Sequence, residues 1–194
     1  MKKLLFLFLF VTGISSAQIA KNPEDISPLL IGEKIPNIEL KDSLGTKINT
    51  KDIFKNKKTV LIVYRGGWCP FCNSQLADMQ AIQKDIETLG YQIVAVSPDA
   101  FSKIEKTSEK GHLSYQLYSD VKNEFSQALG IAFEAPLLYS PILKKNSGGE
   151  NSGVIPVPTV YVINEDNKIE FLFINPDYKQ RLKGDLLLAV LKNL

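Results

Sequence analysis

The sequence predicts an α/β fold in which a mixed β-sheet carries helices on both faces. Two apolar runs, residues 60–64 and 91–97, are each followed by a segment whose apolar residues recur at helical spacing. This alternation indicates parallel strands joined by crossover helices. Further along, residues 160–163 and 168–173 flank a polar turn, which predicts an antiparallel hairpin. The amphipathic segment 178–194 predicts a closing helix.

The remaining elements follow from local patterns taken in chain order. Alternating segments on either side of a turn at Asp42 to Gly45 predict an edge hairpin, and Thr50 is expected to cap a short helix. Residues 134–155 look irregular, and because long loops in compact domains are often functional, we expect a lid or surface excursion beside the site. The predicted strands are residues 38–40, 47–49, 59–64, 91–97, 115–118, 160–163 and 168–173, and the predicted helices are residues 51–54, 75–89, 100–109, 121–129 and 178–194.

The amino-terminal segment predicts export. Met1 is followed by two lysines, an apolar run over residues 4–11 and the small residues Ser15, Ser16 and Ala17. This is the pattern of a signal peptide cleaved after Ala17, and its apolar core is too short for a permanent membrane span. We therefore expect a signal peptide at 1–17, a leader at 18–31 and one domain at 32–194, in a protein exported to the periplasm.

Composition limits the partners of the mature chain. Its 194 residues are 44% hydrophobic and 23% charged, as in one globular domain. Loss of the two signal-peptide lysines leaves 23 − 2 = 21 basic residues against 21 acidic ones. This balance argues against nucleic acid or an anionic membrane as a partner. His112 is the only histidine and lacks zinc-finger spacing to the cysteines, so we predict neither a metal site nor a cofactor.

The only two cysteines, Cys69 and Cys72, lie where a strand and a glycine turn lead into a helix. Cys69 is expected near the N-cap, with Pro70 in the first helical turn. The free amides of a helix N-terminus favour the thiolate of Cys69, and Cys72 is close enough in sequence to form a disulfide with it. A purely structural disulfide is the other interpretation, but a bridge across three residues restricts the unfolded chain very little.

Three neighbours of the cysteines are candidate substrate-binding residues. Trp68 and Phe71 would form an apolar rim against which a partner packs, and a role as core aromatics is the less favoured alternative. Arg65 would either lower the pKa of Cys69 or bind a substrate carboxylate, and a solvated loop arginine is an equally open interpretation.

Two motifs together resemble the thioredoxin fold. They are the Trp-Cys-Pro-Phe-Cys run from Trp68 to Cys72 and the Val157-Pro158-Thr159 sequence. The resemblance implies a cis peptide bond before Pro158, which would face the cysteines. It also implies that Val157, Pro158 and Thr159 bind an extended substrate.

A longer resemblance, over residues 32–173, is to the peroxiredoxin-like AhpC/TSA family, in a subgroup with Cys-x-x-Cys at the active site. Cys69 matches the peroxidatic cysteine of that family. The family's proline and threonine would fall on Ile62 and Gly66, and its activating arginine near Pro158. The buried aspartate of thioredoxins would fall on Val63, which leaves the proton acceptor for Cys72 unidentified.

The resemblance implies a thiol oxidoreductase with Cys69 as nucleophile. Cys69 would attack a hydroperoxide or a disulfide, Cys72 would resolve the product to a Cys69–Cys72 disulfide, and an external thioredoxin-like reductant would reset the pair. Overall similarity favours peroxide reduction, whereas the lost threonine and arginine favour dithiol–disulfide exchange. A redox-inert binding module is a third possibility, and the oligomeric state is left open.

Overall fold

The computed structural model describes residues 19–194. The predicted signal peptide lies outside the described residues. Within residues 19–194, no helix has the length and apolar character needed to cross a membrane.

The described residues form a seven-stranded mixed sheet and a separate two-stranded ribbon. The order in the large sheet is β2-β1-β5-β4-β3-β8-β9, with β3, β4 and β5 parallel to one another and β8 and β9 antiparallel at one side. Every residue of the central strand β3 after Lys58 is buried, because helices cover both faces of the sheet. The strands are β1 (Glu39–Lys41), β2 (Lys47–Asn49), β3 (Lys58–Val63), β4 (Tyr91–Ser97), β5 (Gln116–Ser119), β6 (Ala132–Glu134), β7 (Val154–Pro156), β8 (Thr159–Ile163) and β9 (Ile169–Ile174).

Helices pack on both faces of the sheet, which confirms the predicted fold class. On one face, alternate strand residues such as Val60 and Ile62 meet α2, α3, α4 and α7. On the other face, Leu61 and Val63 pack with residues of α1 and α5. The helices are α1 (Thr50–Ile53), α2 (Pro70–Ala81), α3 (Gln83–Thr88), α4 (Phe101–Gly111), α5 (Glu124–Ala128), α6 (Ser140–Asn146) and α7 (Gly184–Leu191).

Three predicted helices are wrong in extent, and the shortest of them, predicted over 121–129, covers only α5. The helix predicted over 75–89 is divided at Ile82, whose φ of −106° and ψ of 10° are not helical, into α2 and α3. The closing helix covers only α7. Residues 175–183 are instead a loop, called here the carboxy-terminal strap, because Asn175 and Asp177 accept hydrogen bonds from the amides of Asp177 and Lys179. Such side-chain turns compete with helix formation.

The prediction that residues 134–155 are irregular is also wrong. A short 3₁₀ turn at Leu137–Tyr139, helix α6 and strand β7 occupy this stretch. Its second half is fixed by Asn151, whose Oδ1 accepts hydrogen bonds from the amides of Gly153 and Val154. Because β7 pairs antiparallel with β6, the two ends of this segment are joined by backbone hydrogen bonds in the two-stranded ribbon.

Candidate active site

The cysteine pair starts helix α2, as the sequence predicts. Cys69 is the N-cap, with an extended φ of −90° and ψ of 117°, and Pro70 is the first helical residue. The preceding turn depends on Gly66, whose φ of +136° is accessible to glycine and rarely to other residues. A Cβ at Gly66 would also lie 2.4 Å from Trp68 Nε1, so the turn that delivers Cys69 to the helix end needs this glycine.

The backbone before Cys69 is held from two sides. The Gly67 amide donates a hydrogen bond of 2.7 Å to Asp99 Oδ2, and Asn73 Nδ2 donates one of 2.9 Å to the Gly67 carbonyl. Asp99 is buried, and this burial raises the pKa of its carboxyl group to about 6, against the lowering effect of the Gly67 amide. The active-site loop is therefore fixed to the carboxyl end of β4 and to α2 itself.

Both cysteines are free thiols and both are buried. A hydrogen bond with the Cys72 side chain, assisted by the Cys72 backbone amide and by the charges of Arg65 and Arg181, lowers the pKa of Cys69 to about 6 despite burial. Burial, together with the hydrogen bond to Cys69, raises the pKa of Cys72 well above its usual value. At neutral pH the pair therefore consists of a Cys69 thiolate and a Cys72 thiol, which separates a nucleophile from a proton donor.

Arg65 is a buried cation surrounded by aromatic rings. It is 4% exposed, and its guanidinium carbon lies 5.1 Å from the ring centroid of Trp68, 4.8 Å from that of Tyr139 and 4.1 Å from that of Tyr178. Within the described part of the chain, the one ion pair joins Lys47 to Glu39, so no carboxylate neutralises Arg65. Its charge remains available to the Cys69 thiolate or to an anionic group of a ligand.

Trp68 and Phe71, the residues predicted to form an apolar rim, each contact a tyrosine ring beside this arginine. Trp68 is partly buried and packs against Tyr139 at 5.7 Å between ring centroids, whereas Phe71 is 39% exposed and meets Tyr178 edge-on. A small cleft of about 170 Å³ opens beside Arg65. It is lined by Pro23, Arg65, Phe133, Pro136, Tyr139, Pro158, Pro176 and Tyr178.

The predicted cis peptide bond before Pro158 is wrong, since the described residues contain no cis peptide bond. The chain runs extended from β7 into β8, and the Val157 amide donates to the carbonyl of Ile131 at 2.9 Å. Thr159 pairs with Val63 on one side and with Ile174 on the other, and its hydroxyl donates to the Val157 carbonyl. Val157 and Thr159 are thus engaged in the fold, and Pro158 alone of the three lines the cleft.

Sequence reasoning did not identify Arg181. Its Nη2 lies 3.4 Å from Cys72 Sγ, and its Nη1 donates to Gln75 Oε1 at 3.2 Å. Tyr139, Tyr178 and Asp99 were missed as well, and none of these four residues belongs to a motif around the cysteines. His112, in contrast, ends α4 in the left-handed conformation with φ of 48°, and no cluster of three metal-ligating side chains occurs within residues 19–194.

Comparison with known proteins agrees with this architecture. The Escherichia coli protein named peroxiredoxin Bcp is 25% identical over 86% of this chain and 98% of its own length. Two crystal structures each match 84% of this chain. Reduced Prx3 in complex with H2O2 from Vibrio vulnificus has a TM-score of 0.72 and 17% identity, and 99% of its own chain is covered. Peroxidoxin BcpB from Mycobacterium tuberculosis has a TM-score of 0.66 and 21% identity, and 97% of its own chain is covered. At these identities the structures establish the fold.

The family assignment comes from the sequence match. The AhpC/TSA family model matches residues 31–172, almost the range over which the sequence shows the resemblance. This range includes both cysteines, Arg65 and the Val157-Pro158-Thr159 segment, and stops before the carboxy-terminal strap. The protein is therefore a member of the AhpC/TSA family.

Proposed function

We propose that the protein is a thiol peroxidase of the peroxiredoxin type, with Cys69 as its nucleophile. The Cys69 thiolate attacks one oxygen of a hydroperoxide, the O–O bond breaks, and the products are a Cys69 sulfenic acid and an alcohol or water. The observation that carries this proposal is the place of Cys69 at the N-cap of α2, where Cys72 and the charges of Arg65 and Arg181 lower its pKa to about 6. Membership in the AhpC/TSA family and the peroxiredoxin names of relatives support the same reaction.

Cys72 then resolves the oxidised sulfur. Its thiolate attacks Cys69 Sγ, hydroxide leaves and takes up the proton of Cys72 as water, and a Cys69–Cys72 disulfide forms. Cys69 is the N-cap of α2, Cys72 lies in its first turn, and both belong to the same buried cluster, so the two thiols lie close together in the reduced state. A thioredoxin-like dithiol protein is the reductant in this proposal. The signal-peptide pattern at residues 1–17 supports a periplasmic location for this reaction.

The burial of Cys69 favours a small substrate. Cys69 is 1% exposed, and the cleft beside Arg65 holds about 170 Å³. A hydroperoxide enters such a space more readily than a folded protein with its own disulfide. The apolar lining of the cleft suits an organic hydroperoxide, and Arg65 suits either the thiolate itself or a carboxylate on the substrate.

Dithiol–disulfide exchange is the second candidate, and the residues around Cys69 give a specific reason for it. Gly66 and Pro158 occupy the places of the family's threonine and arginine, which hold and polarise peroxide. Loss of such electrostatic groups costs catalysts several kcal/mol. Arg65 and Arg181 supply positive charge from other positions, so the two activities must be separated by measurement.

The test compares both substrates on the reduced protein by stopped flow, following the fluorescence of Trp68. We expect oxidation by hydrogen peroxide much faster than that of a free thiol, and no reaction above background for Cys69→Ser. Cys72→Ser should react once and stop as a sulfenic acid that a dimedone-type reagent traps. A peroxide rate no higher than a free thiol's, with rapid oxidation by a model disulfide, would transfer the assignment to disulfide exchange. No reaction with either oxidant would indicate a binding module.

A further inference from the structure

We propose that Arg181 is a catalytic residue of the cysteine pair: it stabilises the thiolate of Cys72 when that sulfur attacks Cys69 and when it leaves Cys69. The proposal rests on the proposed function for its setting, because it assumes a Cys69–Cys72 disulfide cycle. It applies equally to peroxide reduction and to disulfide exchange, since both pass through that disulfide.

The contact is direct and oriented. Arg181 Nη2 points to Cys72 Sγ at 3.4 Å, while Nη1 is held by Gln75 Oε1 at 3.2 Å. Gln75 is itself buried on α2, one turn after Cys72. Arg181 Nε is buried without a hydrogen-bond partner, and no carboxylate pairs with this guanidinium within residues 19–194. Its charge is therefore directed at sulfur.

The segment that carries Arg181 is anchored on both flanks. The next residue, Leu182, is 1% exposed in the core that also contains Cys72. The Gly184 amide donates to Asp78 Oδ2 on α2 at 2.8 Å. Upstream, Tyr178 packs on Arg65 and Phe71. The carboxy-terminal strap thus lies against the start of α2 and delivers the guanidinium to a fixed place.

Cys72 needs such a cation. It is fully buried, its sulfur is a proton donor to Cys69, and both effects disfavour its thiolate. The position of the buried acid of thioredoxins is filled by Val63, which cannot take a proton. The titratable and charged groups that face Cys72 are Cys69 on its own helix, Tyr64 at the end of β3 and Arg181 from the strap. Of these, Arg181 is the cation within contact distance.

The role is the same in both directions of the cycle. During resolution, the Cys72 thiolate donates an electron pair to Cys69 Sγ, the S–S bond forms, and the sulfenic oxygen leaves as hydroxide. During reduction, a thiolate of an external dithiol attacks Cys69 Sγ, the S–S bond breaks, and its electron pair goes to Cys72 Sγ. The second thiol of that dithiol then releases Cys69 as a thiolate. Arg181 lies beside the sulfur that gains negative charge in the reduction step.

The expected size of the effect follows from thiol chemistry. A cation in contact with an acid typically changes its pKa by about one to three units. Each unit by which the Cys72 pKa rises removes about nine-tenths of its thiolate at neutral pH. The remaining thiolate is more nucleophilic, which raises the rate again by about a factor of three. Removal of the guanidinium should therefore slow resolution and disulfide reduction by about 3- to 40-fold.

The experiment uses three variants of the full protein: Arg181→Met, Arg181→Lys and, as a matched control, Lys179→Met, which removes an exposed cation from the same strap. In a Cys69→Ser background, thiolate absorbance against pH reports the titration of Cys72 alone. In the background with both cysteines, the disulfide is formed with a chemical oxidant and reduced by dithiothreitol, followed by Trp68 fluorescence. Neither readout requires peroxidase activity.

We expect Arg181→Met to move the Cys72 titration to higher pH by at least one unit and to slow reduction at least 3-fold. Arg181→Lys should recover part of both effects, and Lys179→Met should match the wild type. Equal titration curves for all four proteins would overturn the proposal, even if the peroxidase is active. If Arg181→Met does not fold, as thermal unfolding will show, Arg181→Gln replaces it, since glutamine keeps a polar side chain without the charge; an unaltered Cys72 titration in Arg181→Gln together with a wild-type reduction rate would overturn the proposal.

Discussion

At the residue scale, Arg65 combines a buried charge with aromatic neighbours and no carboxylate partner within the described residues. Its charge helps to lower the pKa of Cys69, after the hydrogen bond with Cys72. We expect Arg65→Met to move the midpoint of the peroxide rate against pH upward from about 6 by about one unit. Stopped-flow oxidation between pH 5 and 9 measures this shift.

The same variant separates the two roles that the sequence leaves open for Arg65. If the arginine stabilises the Cys69 thiolate, the variant should react with hydrogen peroxide and with a carboxylate-bearing organic hydroperoxide more slowly by the same factor. If the arginine binds a substrate carboxylate, only the reaction with the carboxylate-bearing hydroperoxide should slow, and its KM should rise. An unchanged pH midpoint with both oxidants would exclude the first role, and Arg65→Lys controls for the charge alone.

The sequence identified the residues of the site that lie near one another along the chain and missed those that do not. Cys69, Cys72 and Arg65 stand within one short motif whose helix-capping chemistry can be read from residue types. Arg181 reaches Cys72 across 109 positions, and Asp99 reaches Gly67 across 32. No periodicity or motif encodes such pairings, because they depend on how the sheet brings distant loops to one edge.

At the element scale, the start of α2 packs against α4 through Gly67. A Cβ at this position would lie 2.0 Å from Thr107 Oγ1, so Gly67→Ala forces the loop and α4 apart. We expect a loss of about 1–3 kcal/mol in the free energy of unfolding, measured by urea denaturation. The displaced loop should also slow the reaction of Cys69 with peroxide.

Two further variants test this packing argument. Gly153→Ala is the control, since nothing lies within 4 Å of a Cβ there. Combining Gly67→Ala with Thr107→Ala removes the closest atom, so stability should return in part. A Gly67→Ala protein as stable as Gly153→Ala would show that α4 adapts without cost.

The elements that sequence reasoning placed correctly are those whose pattern is local. The buried strands β3, β4 and β8 and the β8–β9 hairpin appear within about one residue of their predicted bounds. The predicted closing helix was too long because the side chains of Asn175 and Asp177 accept hydrogen bonds from nearby backbone amides, which favours a turn over a helix. The prediction for residues 134–155 failed because their regular structure depends on the hydrogen bonds of Asn151 and on pairing with β6. Neither feature produces a hydrophobic periodicity in the sequence.

At the scale of the whole molecule, the ionisation of Cys69 is coupled to folding. Its pKa is about 6 in the native protein and about 8.5 in an unfolded chain. A depressed native pKa contributes stability that is present above the unfolded pKa and is lost as pH falls through about 6. The stability difference between wild type and Cys69→Ser should therefore grow from pH 6 to pH 8.5, by at most about 1.4 kcal/mol per unit.

Urea denaturation of both proteins under reducing conditions at pH 5.5, 7 and 8.5 measures this difference. Lys179→Met, which changes an exposed residue of the carboxy-terminal strap away from the cysteines, is the control, and its stability difference from the wild type should not grow over this range. Stability curves of wild type and Cys69→Ser that run parallel would show that the thiolate is not stabilised by the fold.

The long separation between Cys72 and Arg181 has a consequence for biosynthesis. A ribosome completes the cysteine motif 109 residues before it adds the arginine that faces Cys72. Until then, the nascent chain also lacks Tyr178, which covers Arg65. A chain that ends before the strap therefore lacks both residues that contact Cys72 and Arg65 from the carboxy-terminal side.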